Sequence, residues 1–289
     1  MDMRRRTLVA GLTLALLTAD TLAVEPPTFA FEHASDVTLS NPHDVKLSAD
    51  GRHLYVSDVG SGRVVVLDAD TLQLRSSFGA GQLSGTHDID FDAAGRAYVA
   101  DTHNGRVAIF ELQQDRAMLV GELRGPIAGP EGVLVHPNGM IYVAGAWSHN
   151  VVAFRDGEPA HSLHGLSAPH DLELAANGDL WLADAGNDRI LRLTPTLQIV
   201  AELSGPAYAF DGVRYLDVLP DGALLAADKN SHTVKLIGRD GKLLARLGNG
   251  RAGRGPNVFT TPEGVDSSGD RVWISDSGND RVVRYRMRR

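Results

Sequence analysis

Six times along the chain an apolar run ends in a small or acidic residue: Tyr55-Val-Ser-Asp58, Tyr98-Val-Ala-Asp101, Tyr142-Val-Ala-Gly145, Trp181-Leu-Ala-Asp184, Leu225-Ala-Ala-Asp228 and Trp273-Ile-Ser-Asp276. The last residues of successive copies lie 39 to 48 positions apart. Each copy is preceded by a turn glycine (Gly51, Gly95, Gly139, Gly178, Gly222, Gly269) and, before that, by an alternating segment such as Val45-Lys-Leu47 or Leu172-Glu-Leu174. Each is followed, after a polar turn, by an apolar run such as Val64-Val-Val-Leu67 or Val107-Ala-Ile-Phe110. Alternation bounded by glycine turns predicts antiparallel strands. A fourth strand follows in five units, for example over Met118–Arg124 and Leu197–Leu203.

Four antiparallel strands in a unit of this length make one blade of a β-propeller. The expectation is an all-β, six-bladed propeller of four-stranded blades occupying residues 24–289 as a single domain. The sixth unit ends at its third strand, Val282-Val-Arg-Tyr-Arg286, while Phe29-Ala-Phe31 alternates without belonging to any repeat. We expect this N-terminal segment to supply the missing outer strand and so close the last blade. A second regularity is scaffold: Asp58, Asp101, Asp184 and Asp276 each precede an arginine by five residues (Arg63, Arg106, Arg189, Arg281). The third unit loses both partners, with Gly145 and Asn150, which reads as an ion pair locking each turn. The fifth, with Asp228 but Thr233, suggests that the pairing is dispensable.

The net charge of −8 is spread without long runs, which argues against nucleic acid as a partner because an acidic surface repels phosphate. There is no cysteine, so no disulfide or thiolate metal site can form. Arg4, Arg5 and Arg6 precede an apolar stretch, Thr7–Ala19, too short to span a membrane, and Thr21-Leu22-Ala23 offers a cleavage site. Residues 1–23 are therefore expected to be a signal peptide. Arg5-Arg6-Thr7-Leu8-Val9 also fits a twin-arginine signal beside an ordinary Sec signal. A periplasmic or secreted monomer with no membrane span after cleavage is the expectation.

In a propeller the first strand of every blade lines the central channel, so equivalent residues converge on one axis. His43, His87, Glu131, His170, Arg214 and Glu263 stand at the starts of the six first strands. Loops between second and third strands open on the same face and add His103, Trp147, His149, Lys229 and His232. Most of the 11 histidines should thus lie at one end. Pro42-His43-Asp44, Thr86-His87-Asp88 and Pro169-His170-Asp171 nearly repeat one another. Imidazoles and carboxylates brought together are ligands for zinc and its neighbours, and carboxylates with carbonyls suit calcium. His43, His87, Glu131, His170 and Asp171 are the candidate ligands of a divalent metal, zinc or calcium. The other reading is that these groups hydrogen-bond strand ends.

The repeat resembles the NHL-repeat family, whose motif runs roughly Pro-x-Gly-apolar-x-apolar-Asp, then Gly, then Tyr-Val-x-Asp, then Asn-x-Arg-apolar. Pro130-Glu-Gly-Val133 and Pro262-Glu-Gly-Val265 match its opening, and the resemblance covers almost all of the mature chain. It implies a six-bladed propeller that serves as an enzyme or as a binding module. Peptidyl-hydroxyglycine α-amidating lyases, within that group, hold zinc with three histidines at first-strand starts and use an Asp that follows one of them toward calcium. His43, His87 and His170 are similar in motif, with Asp44, Asp88 or Asp171 in the calcium slot. Those lyases draw their histidines from alternate blades; here they come from blades one, two and four. Their catalytic Tyr and Arg have no clear counterpart on loops that here carry His103, Trp147 and Lys229.

Two functions follow. As a binding module, the mouth would hold a small molecule, peptide or protein loop, with Trp147 as an apolar anchor among His149, His232 and Glu263. As an enzyme, a metal-dependent lyase or an esterase or lactonase, it would use Arg214 or Lys229 to stabilise developing negative charge and His103 as general base. The missing Tyr and Arg favour binding.

Overall fold

The computed structural model describes residues 26–113 and 116–289; the expected signal segment, 1–23, lies outside them. Twenty-four strands form six four-stranded antiparallel sheets, and among the described residues the only helical pieces are four single 3-10 turns. No helix among them is long and apolar enough to cross a membrane. Five sheets follow chain order, and the sixth is ordered Thr28–Ala34, Arg281–Arg288, Arg271–Asp276, Pro262–Ser268. The N-terminal strand is therefore the outer strand of the last blade, as its alternation predicts. Thr28 pairs with Arg288 and Ala34 with Val283. Phe31 meets Tyr285 edge to face, and Glu32 accepts from Arg284 at 2.7 Å and Arg286 at 3.0 Å.

Neighbouring sheets share cores. Leu225, Ala227 and Val234 of blade five pack with Val265, Val272 and Ile274 of blade six, all essentially inaccessible. A buried Val or Leu side chain contributes about 1.5–3 kcal/mol, so each blade is held chiefly by its neighbours.

The repeated Asp is the rivet of each turn. Arg63, Arg106, Arg189 and Arg281 donate to Asp58, Asp101, Asp184 and Asp276 at 2.7–2.8 Å. The other oxygen of those carboxylates accepts the N–H of the incoming loop at Ser40, Ser84, Ser167 and Thr260. Blade five corrects the expectation that the pairing is dispensable. Lys235, 1% exposed, contacts Asp228 from two residues further along and donates to Ala209 O at 2.8 Å. In blade three Asn150 Nδ2 donates to Pro126 O at 2.8 Å and ties the same loop without a charge.

Candidate functional site

Each first strand opens on an irregularity: the ladder skips between Pro42 and Val45, Thr86 and Ile89, Pro130 and Gly132, Pro169 and Leu172, Val213 and Leu216, and Pro262 and Val265. Such bulges re-aim side chains. The six ring residues meet one another there. The rings of His43 and His87 lie 4.5 Å apart, edge to face. His87 Nε2 is 3.9 Å from Glu131 Oε1, and His170 Nε2 sits against Glu131 Oε2. Arg214 contacts the His170 ring, its Nη1 2.9 Å from Nδ1. On the far side Lys229 Nζ is 2.6 Å from Glu263 Oε1 and His43 Nδ1 is 3.4 Å from Oε2.

These close charges set the protonation states. Burial alone would raise both glutamates, but His170, His87 and Arg214 pull Glu131 down to about 2, and His43, Lys229 and Arg214 do the same to Glu263. Burial, aided by His87 and Lys229 against the pull of Glu263, lowers His43 to about 3. His87 is lowered in the same way by burial. Its Nδ1 lies 2.9 Å from Gly85 O, a pure acceptor, so Nδ1 carries the hydrogen and a neutral His87 presents Nε2 as an acceptor.

One residue deeper stand Asp44, Asp88, Gly132, Asp171, Tyr215 and Gly264. Asp88 bridges blades by accepting Val133 N at 2.6 Å, and Asp171 does so with Leu216 N at 2.7 Å. Tyr215 donates to His87 O at 2.9 Å and Glu131 O at 3.2 Å, so its phenol spans the channel. The two glycines are required by close approach: a Cβ on Gly132 would sit 1.9 Å from His170 O, and one on Gly264 2.4 Å from His43 O. Deeper still, Lys46 donates to Glu173 at 2.6 Å, with Asp90, Asp217 and Asp266 around it. Tyr215 and the aspartates thus fill the channel beneath the ring.

Five of the eight buried side-chain polar atoms without a hydrogen-bond partner, among the described residues, belong to this mouth: His43 Nδ1, Asp44 Oδ2, Arg214 Nε and both oxygens of Glu263. Lys229 forms an ion pair with Glu263 Oε1 at 2.6 Å, while Oε2, 3.4 Å from His43 Nδ1, has no aligned donor. Polar atoms left unmet by the protein are thus concentrated at one place, within reach of a partner from outside the chain.

Solved structures share the architecture. A streptogramin B lyase superposes with a TM-score of 0.64 at 15% identity, over 90% of this chain and 84% of that one. A protein of unknown function from Bacteroides thetaiotaomicron gives 0.72 at 12% over 91% and 76%, and the Cps50 (Swd1) β-propeller domain of Myceliophteria thermophila 0.66 at 11% over 90% and 99%. The likeness is one of fold. No protein-family profile matches the chain, and no curated protein does.

Of the expected site residues, His43, His87, Glu131, His170, Arg214, Lys229 and Glu263 come together. Asp171 lies beneath them with both oxygens on main-chain amides. His103 and Trp147 stand on the rim, stacked with centroids 5.9 Å apart. His149 and His232 take a turn position that is left-handed in every blade (Gly62, Gly105, Asp188 and Asp280 elsewhere), and their Nδ1 atoms accept from Ala168 N and Thr261 N of the next blade. They tie loops together. Tyr215, Thr102 and Lys46 were missed by sequence reasoning, although aligning the six units sets Tyr215 opposite Asp88 and Thr102 opposite Lys229. A cleft of about 490 Å3 between the outer strands of blades one and two, lined by Tyr55, Phe78, Arg75 and Arg116, gathers no comparable cluster.

For a divalent metal the donor chemistry is mixed. His87 and His170 each hold Nδ1 on a backbone carbonyl, Gly85 O and Ala168 O, as metal-bound imidazoles do. Arg214 nevertheless rests on His170, and among the described residues no group of three His, Asp or Glu is set to hold an ion. The aspartates in the calcium slot fit worse, since Asp88 and Asp171 are spent on amides.

Proposed function

We propose that the chain is an exported NHL-type propeller that binds a small polar ligand, or a segment of a partner, in the mouth. The cluster of buried atoms without a partner on His43, Arg214 and Glu263 supports this reading. Leaving a buried donor or acceptor unmade costs about 1–3 kcal/mol each, and a ligand that satisfies several of them recovers that cost.

A thermal-shift screen of small polar molecules and short peptides tests it. Compounds that raise Tm in the wild type and fail to do so in Arg214→Ala/Glu263→Gln support the reading. A screen in which every stabilising compound acts equally on both proteins overturns it.

A metal-dependent lyase or hydrolase is the second reading, favoured by the carbonyl-pinned histidines. Zinc would be held by His87, His170 and Glu131 once Arg214 turns aside, and it would supply Lewis acidity to a ligand oxygen. Metal analysis of the purified protein and of His87→Ala/His170→Ala decides it. A stoichiometric ion lost in the variant supplies the metal that this reading requires, though binding through a metal would show it too; equal, substoichiometric content in both overturns the metal-dependent reading.

A further inference from the structure

The ring is one half-ring written twice. Blades one to three open Pro42-His-Asp-Val45, Thr86-His-Asp-Ile89, Pro130-Glu-Gly-Val133; blades four to six open Pro169-His-Asp-Leu172, Val213-Arg-Tyr-Leu216, Pro262-Glu-Gly-Val265. Contacts obey the same two-fold relation. His43 touches His87 as His170 touches Arg214, and Glu131 meets His170 as Glu263 meets His43. Among the first-strand ring residues the departures are confined to blades two and five, and on the turns blade three adds Trp147 where blade six has Gly278. Blade two presents His87 and, on its turn, Thr102; blade five presents Arg214 and Lys229 at the same two places.

The mouth is therefore polarised. One side offers neutral groups with an acceptor nitrogen; the opposite side offers two cations. Two ionised glutamates balance those cations, so a carboxylate would be held by its placement beside Arg214 and Lys229 and not by net charge, and a dianion is disfavoured.

Above the neutral side lies a flat platform. The indole of Trp147, 55% exposed, lies over Gly129, where a Cβ would come within 2.3 Å of it, and the His103 ring lies over Gly85. Both glycines lead directly into Glu131 and His87, so the platform is fixed to the strands that carry the ring.

Resting on the reading of the mouth as a binding site, we propose that its ligand is an acidic sugar, a uronic acid or a chain ending in one. The apolar face of the pyranose stacks on Trp147 and His103, a hydroxyl donates to His87 Nε2, and its carboxylate is taken by Arg214 and Lys229. A flat aromatic acid would fill the platform and the cationic side but bring no hydroxyl donor for His87 Nε2.

Calorimetry and Trp fluorescence with D-glucuronate, D-galacturonate, the matching neutral sugars and benzoate test this. Trp147 dominates the fluorescence response, since Trp273 is buried and Trp181 is half-buried on an outer face beside Arg192. One uronate is expected to bind about tenfold or more tightly than its neutral counterpart and than benzoate. Arg214→His, which restores the two-fold ring, should abolish the preference over the neutral sugar, and Trp147→Ala should weaken uronate about tenfold. Neutral sugar or benzoate binding as tightly as uronate, or no uronate binding at all, overturns the proposal. The wild-type series needs no variant and stands even if one misfolds. Ring-dependent hits of another class in the thermal-shift screen would leave the binding site intact and sink only the acidic sugar.

Discussion

Glu263 shows how a single residue separates a functional mouth from a structural one. It is fully buried, ionised, and short of aligned donors. If its charge is kept for a ligand, Glu263→Gln removes an unsatisfied buried carboxylate while Lys229, partly exposed, turns to solvent. Tm is then expected to hold or to rise by about 2–4 °C, as roughly 1 kcal/mol gives in a chain of this size. A fall of similar size in a thermal melt would make Glu263 scaffold. Lys235 is the opposite case, because its partner Asp228 is sealed in blade five. Lys235→Ala should cost about 3–5 kcal/mol in urea unfolding by stranding that carboxylate. The contrast was hidden in the sequence, where Lys235 falls two positions beyond the arginine of the other blades and the two-residue shift only becomes contact once strands pair.

Blades were legible because strand alternation and turn glycines recur in every unit and the Asp rivet in five of the six. The ring was legible too, since a repeat places equivalent residues on one axis. What alternation cannot reveal is the bulge at the head of each first strand, which turns two successive side chains into the channel and sends the second, as at Asp171, down onto the next blade's amides. Nor does it show that His149 and His232 occupy left-handed turn positions, where their rings become braces. The close approach at Gly132 tests this geometry at the level of the strand. Gly132→Ala would drive a methyl into His170 O of the neighbouring blade, and we expect a loss of about 2–3 kcal/mol. An unchanged urea midpoint would mean that the blades are not packed as described.

For the molecule as a whole, the channel floor governs pH dependence. Burial raises Asp266 to about 6 and lifts Asp90 and Asp217 as well, against the counter-pull of Lys46. The folded chain then holds protons that the unfolded chain, with carboxyls near 4, has already released. The stability these carboxyls contribute is greatest below about pH 4 and falls as pH rises through about 6 for Asp266 and about 7 for Asp88, while the buried His43, lowered to about 3, contributes the opposite slope up to about 6.5. Asp266→Asn should remove that carboxyl's share of the fall, so that the variant gains about 3 °C in Tm on the wild type between pH 5 and pH 7. A difference in Tm between variant and wild type that stays constant over the same interval would contradict this floor.

The N-terminal strand has a further consequence. Thr28 pairs with Arg288 at the end of the last blade away from the mouth, because the third strand of that blade starts at the mouth and runs down from it. Anything joined ahead of Thr28 or after Arg288, whether a lipid tether, a neighbouring domain or an affinity tag, leaves from the rear face. A molecule moored by either end to a surface would stand with its mouth turned outward, unobstructed, toward whatever diffuses past.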